Sequence, residues 1–253
     1  VLAGYCMAAV GFLVLPILIV IPIAFTRTAV VAFPPELFSL RWFAEFAESP
    51  VWQAAMVRSL AVGAATAVLA VVLGFGATYT LTKVSSRWVK PLFALFVAPL
   101  IVPRIVVAIG LLYLFASLGL TGSDVGLVIG HTILAIPYVV VTLSAGFRQF
   151  DWRLDDAARI LGASPFARIR TVLLPLLAGS ITSALLFAFI VSFDDLTIAI
   201  FVSGGVNTTL PKQMWDSIQL AVTPTLAAVS TFLILLITVI ILAASHIKSK
   251  GTR

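Results

Sequence analysis

Six long apolar stretches, separated by short polar segments, make up most of this 253-residue chain. Each stretch can supply the roughly 20 helical residues that cross a bilayer core. The pattern therefore predicts six transmembrane helices, at residues 6–25, 54–81, 91–117, 125–147, 176–202 and 225–247. We expect an all-α polytopic membrane protein in which residues 1–253 form a single transmembrane domain.

The composition supports this class, because hydrophobic residues account for 61% of the chain and charged residues for 10%. Soluble domains contain roughly 45–50% apolar and 25% charged residues. The polar segments are too short for a soluble domain, and no phosphate-binding sequence GxxxxGK(S/T) is present. We therefore expect no catalytic residue and no bound nucleotide on this chain.

The basic residues are concentrated in alternate loops. One side of the predicted membrane carries Lys83, Arg87, Lys90, Arg148, Arg153, Arg159, Arg168, Arg170, Lys248, Lys250 and Arg253, and the loops of the other side carry only Arg27, Arg41 and Lys212. The positive-inside rule then places the loop after the fourth span and both termini in the cytoplasm. The net charge of +6 thus indicates topology, and no basic patch with interleaved aromatic residues suggests nucleic-acid binding.

Cysteine and histidine are too scarce for a metal or redox centre. Cys6 is the single cysteine, and His131 and His246 are far apart in the sequence. We interpret both histidines as satisfied interfacial or structural residues and expect neither an internal disulfide nor a metal site.

The loop at residues 148–175, RQFDWRLDDAARILGASPFARIRTVLLP, is the longest charge-dense segment of the chain. Asp151 is placed to cap a helix, and Gly162 to end it in a left-handed conformation. Ser164 and Pro165 then indicate an N-cap followed by proline at the first position of a second helix. The segment predicts two short helices joined at a glycine corner.

The first of these helices carries a narrow stripe of mostly small apolar side chains. The stripe comprises Leu154, Ala157, Ala158 and Leu161, at spacings of three and four residues, and charged residues including Asp155 and Asp156 flank it. Small side chains allow another surface to approach the backbone closely, so a docking face is expected. The alternative is a solvated amphipathic hairpin between two membrane helices.

The spacing of this loop resembles that of the EAA loop of ABC importer permeases. Asp156-Ala157-Ala158 is followed after three residues by Gly162 and after nine more by Val172, with Asp156 in place of glutamate and Val172 in place of isoleucine. Both exchanges keep the charge or the shape of the side chain. The resemblance implies that the loop docks on a separate ATPase.

Further stretches resemble the second permease of spermidine/putrescine-type importers, namely residues 39–63, 131–147, 192–202 and 209–234. This resemblance implies a polyamine permease of the bacterial inner membrane that forms a heterodimer with a second permease. It also implies two ATP-binding subunits that hold ATP and Mg²⁺, and a periplasmic substrate-binding protein. No cofactor is expected on this chain itself.

Asp194 and Asp195 lie about 18 residues into the fifth predicted span, directly after Phe193. Acidic residues inside a membrane are costly unless they face a cavity or a partner. The resembled subfamily usually has an aromatic and acidic sequence here, and such a lining suits an organic cation through ion pairing and cation–π contact. Two alternatives are that these residues pair with Arg104 or that they only cap a bent helix.

Arg104, which follows Pro103 in the third predicted span, is an unexpected cation for a polyamine pathway. It could pair with Asp194 or Asp195 as a gate, hold the anionic end of a zwitterionic amino-acid derivative, or extend to the membrane interface. A stand-alone secondary transporter or membrane enzyme is a further alternative, but the sequence contains neither paired broken repeats nor a catalytic constellation.

Overall fold

The computed structural model of the chain describes the backbone of residues 2–31, 33–35, 37–205 and 208–250, and the side chains of these ranges from residue 4 to residue 239, with Leu242. Within these ranges the protein is helical, and its β pairing is limited to one antiparallel bridge between Thr26 and Phe38. The predicted all-α class is confirmed. The side chains of His246, Lys248, Lys250 and Arg253 lie outside the described residues.

Thirteen α-helical segments follow one another along the described chain. The first six are α1 (Leu2–Ile23), α2 (Arg41–Glu48), α3 (Pro50–Lys83), α4 (Val89–Val97), α5 (Arg104–Leu118) and α6 (Asp124–Gln149). The others are α7 (Trp152–Ile160), α8 (Pro165–Arg168), α9 (Leu174–Leu176), α10 (Ala178–Phe193), α11 (Thr197–Val202), α12 (Leu210–Leu220) and α13 (Pro224–Lys250). A 3₁₀ turn, Ala98–Leu100, extends α4, and a π turn, Ile169–Leu173, joins α8 to α9.

Three described helices, α1, α3 and α6, are each long and apolar enough to cross a membrane. Two bent pairs of helices raise this number to five if each pair is one span, and α13 contributes a shorter apolar helix, Pro224–Val239. The number of six transmembrane helices therefore stays a prediction.

The third and fifth predicted spans are each divided into shorter helices in the structure. The segments Val89–Leu100 and Arg104–Leu118 meet at 96°, with Pro103 directly before α5. Proline lacks an N–H and restricts the residue before it, so a helix ends readily at such a position. A second bend of 79° separates Pro165–Leu176 from Ala178–Phe193, and a further break at residues 194–196 separates α10 from α11.

The chain divides into two compact units, residues 57–211 and residues 1–56 with 212–253. The prediction of one transmembrane domain over residues 1–253 stays a prediction. In the second of these units, the Trp42 indole N–H donates to the Thr26 carbonyl at 2.7 Å, and the Thr225 hydroxyl donates to the Glu45 carboxylate at 3.0 Å.

The unit of residues 57–211 has its core where α6 packs closely on α10. A Cβ added at Gly146 would lie 2.3 Å from the Ser180 hydroxyl, and Ala184 and Ala188 are fully buried. Small residues at these positions let the two helices approach closely, as in other membrane helix pairs. This core supports both the loop and the acidic pair that the sequence singled out.

Candidate functional site

The loop between α6 and α10 has the local structure that its sequence predicts. The Asp151 carboxylate accepts the Arg153 N–H at 3.0 Å and caps α7, and Gly162 has a φ of +85°. The Ser164 hydroxyl accepts the Ala167 N–H at 3.3 Å, with Pro165 at the first position of α8. The predicted caps and the predicted glycine corner are confirmed.

Most of the predicted docking stripe lies on the surface of the described chain. Leu161 is 86% exposed and Leu154 47%, while Ala157 is exposed and Ala158 half-buried. Asp156 and Pro165 are also exposed, and the Asp156 carboxylate lies 3.5 Å from the Arg159 guanidinium. These residues form an outward face, and their role in ATPase docking stays a prediction.

Two large apolar residues extend this face and were missed by the sequence reasoning. Ile160 is 84% exposed and Phe166 is 72% exposed, on either side of the Gly162 corner. The helical spacing from Leu154 does not include Ile160, and Phe166 lies on the second helix. Their signal in the sequence was the presence of large apolar side chains inside a polar loop.

Asp155 has an environment opposite to that of its neighbour Asp156. Its side chain is fully buried, with its carboxylate 2.5 Å from the Lys83 ammonium and 3.3 Å from the Arg168 guanidinium. The carboxylate therefore faces the interior of the chain, and not the surface that the stripe presents. Sequence reasoning placed Asp155 beside the stripe, and could not identify Lys83, which is 72 residues away, as its partner.

A second polar cluster lies at the break between α10 and α11. Asp195 is 1% exposed, and its Oδ2 atom accepts the Ile198 N–H at 2.7 Å in the first turn of α11. The break leaves backbone N–H groups without helical partners, and they must be satisfied locally within a membrane. Asp195 thus caps α11, which is one of the alternatives that the sequence left open.

Asp195 also faces two groups from neighbouring helices. The Arg104 guanidinium lies 3.9 Å from Oδ1, and the His131 Nε2 atom lies 3.7 Å from Oδ2. The other ring nitrogen of His131 lies 2.7 Å from the Ser192 hydroxyl, and both of these side chains are buried. The cluster therefore joins α5, α6 and α10, and its members His131 and Ser192 were not predicted as site residues.

Asp194 and Phe193 differ from Asp195 in exposure and contacts. Asp194 is exposed, and its carboxylate forms no hydrogen bond or ion pair with another described residue. Phe193 is 5% exposed and stacks on Phe189, with ring centroids 5.5 Å apart. Arg104 is half-exposed at the start of α5. The structure brings Arg104 and Asp195 together and leaves Asp194 as the accessible acid.

Comparison with known proteins identifies what this chain is similar to. A family model described as "Binding-protein-dependent transport system inner membrane component" matches residues 67–250. The putrescine transport system permease protein PotI of Escherichia coli (strain K12) is 31% identical over 230 residues, which cover 88% of this chain and 82% of PotI. The spermidine/putrescine transport system permease protein PotC of the same strain is 28% identical over 251 residues, 98% of this chain and 95% of PotC.

A solved structure resembles this chain at low sequence identity, and this similarity is evidence for the fold only. The crystal structure of a bacterial alginate ABC transporter, in complex with an alginate pentasaccharide-bound periplasmic protein, matches with a TM-score of 0.77 and 13% sequence identity. The match covers 100% of this chain and 93% of that chain.

Proposed function

The chain belongs to the family of inner-membrane components of binding-protein-dependent transport systems, and we propose that it imports a small organic cation, a polyamine such as putrescine or spermidine. It is a permease subunit of an ABC importer and not itself an enzyme. Relatives named for putrescine and spermidine transport, at 31% and 28% identity, are the main support for this solute.

The accessible carboxylate of Asp194 fits a cationic solute. A cation that leaves water for an apolar pathway loses hydration, and a carboxylate at that point replaces part of the lost interaction. Asp195 supports this arrangement by capping α11, so that the break between α10 and α11 keeps its geometry. We assign solute contact to Asp194, and the gate or the frame of the pathway to Asp195 and Arg104. Phe193, which stacks on Phe189, is proposed as part of the same pathway lining.

Transport also requires partners that this chain does not contain. We propose a second permease subunit, two ATP-binding subunits that hold ATP and Mg²⁺, and a periplasmic protein that delivers the solute. The exposed apolar face around Gly162 would receive an ATP-binding subunit, and both termini would lie in the cytoplasm. ATP hydrolysis on the partners supplies the energy, while this chain supplies the pathway.

A zwitterionic solute is the second candidate, because the Arg104 guanidinium is 49% exposed and can also bind a carboxylate. The two solutes differ in their requirement for this residue. Binding of a diamine requires only the carboxylate of Asp194, whereas binding of a zwitterion requires both Asp194 and Arg104.

Uptake by the reconstituted complex tests the solute. We expect ATP-dependent accumulation of labelled putrescine that Asp194→Asn reduces by about tenfold or more, because the desolvated cation loses its counter-charge. The matched control is Asp124→Asn. This variant also neutralises an exposed acid, but one that forms an ion pair with Arg58 at 3.0 Å and to which we assign no contact with the solute. Equal putrescine uptake by the Asp194→Asn and Asp124→Asn complexes would contradict the role of Asp194, and uptake of amino-acid derivatives but not of putrescine would favour the second candidate.

A further inference from the structure

Three helices around the loop of residues 148–175 meet at one buried carboxylate. Asp155 of α7 lies between Lys83, the last residue of α3, and Arg168, the last residue of α8. The side chain of Asp155 is fully buried, that of Arg168 is 13% exposed and that of Lys83 is 31% exposed. We call these three residues the Asp155 link.

Aromatic contacts connect the Asp155 link to the long apolar helices α3 and α6. The Lys83 ammonium lies 4.3 Å above the ring of Trp152, the first residue of α7. The Trp152 ring stacks on Phe147 of α6, with centroids 5.9 Å apart and planes 9° from parallel. Phe147 in turn contacts Phe75 of α3, with ring centroids 5.5 Å apart. The inner side of α7 is thus attached to both α3 and α6.

The charges of the Asp155 link favour a connection between α7, α3 and α8 that is kept when the loop moves. Separating Asp155 from its two cations would leave an unpaired charge in a buried position, which is strongly unfavourable. The opposite side of α7 is different, since Ile160 at its end and Leu161 just after it are 84% and 86% exposed, and no described part of the chain covers them. If a partner subunit pushes on the exposed side of α7, the buried side of α7 therefore stays attached to α3 and α6.

We propose that Lys83, Asp155 and Arg168 are positioning residues that fasten the loop rigidly to α3, so that displacement of the loop by an ATPase moves α3 as well. This inference rests on the proposed docking of an ATP-binding subunit to the loop. It assigns Asp155 to the transmission of movement, whereas the exposed residues of the same helix meet the partner.

The first test compares two neutralised acids of one loop in the reconstituted complex. Asp155→Asn keeps the size of the side chain but removes its charge, and we expect the amount of solute moved per ATP hydrolysed to fall by about tenfold or more while ATP hydrolysis continues. The matched control is Asp151→Asn, which removes an exposed charge and retains an effective helix cap. An unchanged ratio of transport to hydrolysis in Asp155→Asn would overturn the proposal.

A milder variant distinguishes loss of coupling from a folding defect. Lys83→Met keeps an aliphatic chain over Trp152 and leaves Asp155 paired with Arg168, so the protein retains most of its contacts. We expect the same uncoupling to a smaller degree. Transport and hydrolysis that remain coupled in Lys83→Met as in the wild type would count against a rigid link.

A distance measurement tests the rigidity directly and does not depend on the solute. Spin labels at Ser85→Cys, just after α3, and at Arg153→Cys, on α7, are introduced with Cys6→Ser to remove the native thiol. We expect one narrow distance distribution whose mean is unchanged by ATP in the assembled complex, and a broader one after Asp155→Asn. A mean distance that changes with ATP in the presence of the intact link would overturn the proposal, whereas a complex that imports no polyamine would contradict only the proposed solute.

Discussion

At the scale of single residues, two pairs of neighbouring acids have opposite environments. Asp194 and Asp156 are exposed, whereas Asp195 and Asp155 are almost or fully buried. In each pair the buried acid organises the chain: Asp195 caps α11, and Asp155 pairs with two cations. The exposed acid is the one to which we assign the proposed contact, with a solute for Asp194 and with a partner subunit for Asp156.

The capping role of Asp195 leads to a prediction about stability. Asp195→Ala removes the acceptor of the Ile198 N–H, and we expect it to lower the free energy of unfolding by about 1 kcal/mol or more. Asp195→Asn keeps an acceptor oxygen for the Ile198 N–H and should be clearly less destabilising. The charge that it removes contributes little, since the ion pair with Arg104 is 3.9 Å long and the Arg104 side chain is half-exposed. Thermal unfolding of the two purified variants measures this difference. Equal losses would show that the charge, and not the cap, holds the break.

The sequence identified Arg104, Asp194 and Asp195 as candidates because charged residues are rare inside apolar stretches. It could not divide the roles of the two acids, since both belong to one dipeptide and their burial depends on how the helix breaks. The buried contact of His131 with Ser192 agrees with the expectation of a satisfied structural histidine, but the sequence could not identify this partner, which is 61 positions away. Contacts at that separation leave no local pattern.

At the scale of elements, local rules and tertiary packing account for different parts of the structure. The caps at Asp151 and Ser164 and the corner at Gly162 depend on a few adjacent residues, and the sequence predicts all three. The 96° bend before Arg104 was not predicted, because hydrophobicity alone does not distinguish a straight apolar helix from two short ones. Pro103 directly precedes α5, and a proline indicates where a helix can end but not the angle between the two segments.

The glycine corner provides a prediction at this scale. Gly162→Ala forces an L-residue into a φ of +85°, and we expect a loss of about 1 kcal/mol in the free energy of unfolding, together with weaker coupling of hydrolysis to transport. The control Gly179→Ala adds the same methyl group, likewise with no atom within 4 Å, but inside α10 with an ordinary helical φ. Thermal unfolding and the ratio of transport to hydrolysis compare the two variants. Indistinguishable results for both would show that the left-handed corner is dispensable.

At the scale of the whole molecule, the chain is a membrane permease subunit of an ABC importer, and we propose that its activity depends on other chains. The family membership that the loop spacing indicated is confirmed, and the fold agrees with that of a solved ABC importer. The sequence contains no phosphate-binding loop, while its longest polar loop presents an exposed apolar face. Both features agree with the proposed division of labour between this permease and separate ATP-binding subunits.

The most direct test of this account compares proteoliposomes that contain the purified chain alone with proteoliposomes that contain the complete complex and its binding protein. ATP hydrolysis and accumulation of labelled putrescine are measured in both. We predict neither activity with the chain alone, and ATP-dependent accumulation only with the complete complex. ATP turnover by the rigorously purified chain, or solute accumulation without ATP-binding subunits, would contradict the assignment of this protein as the permease subunit of an ATP-driven importer.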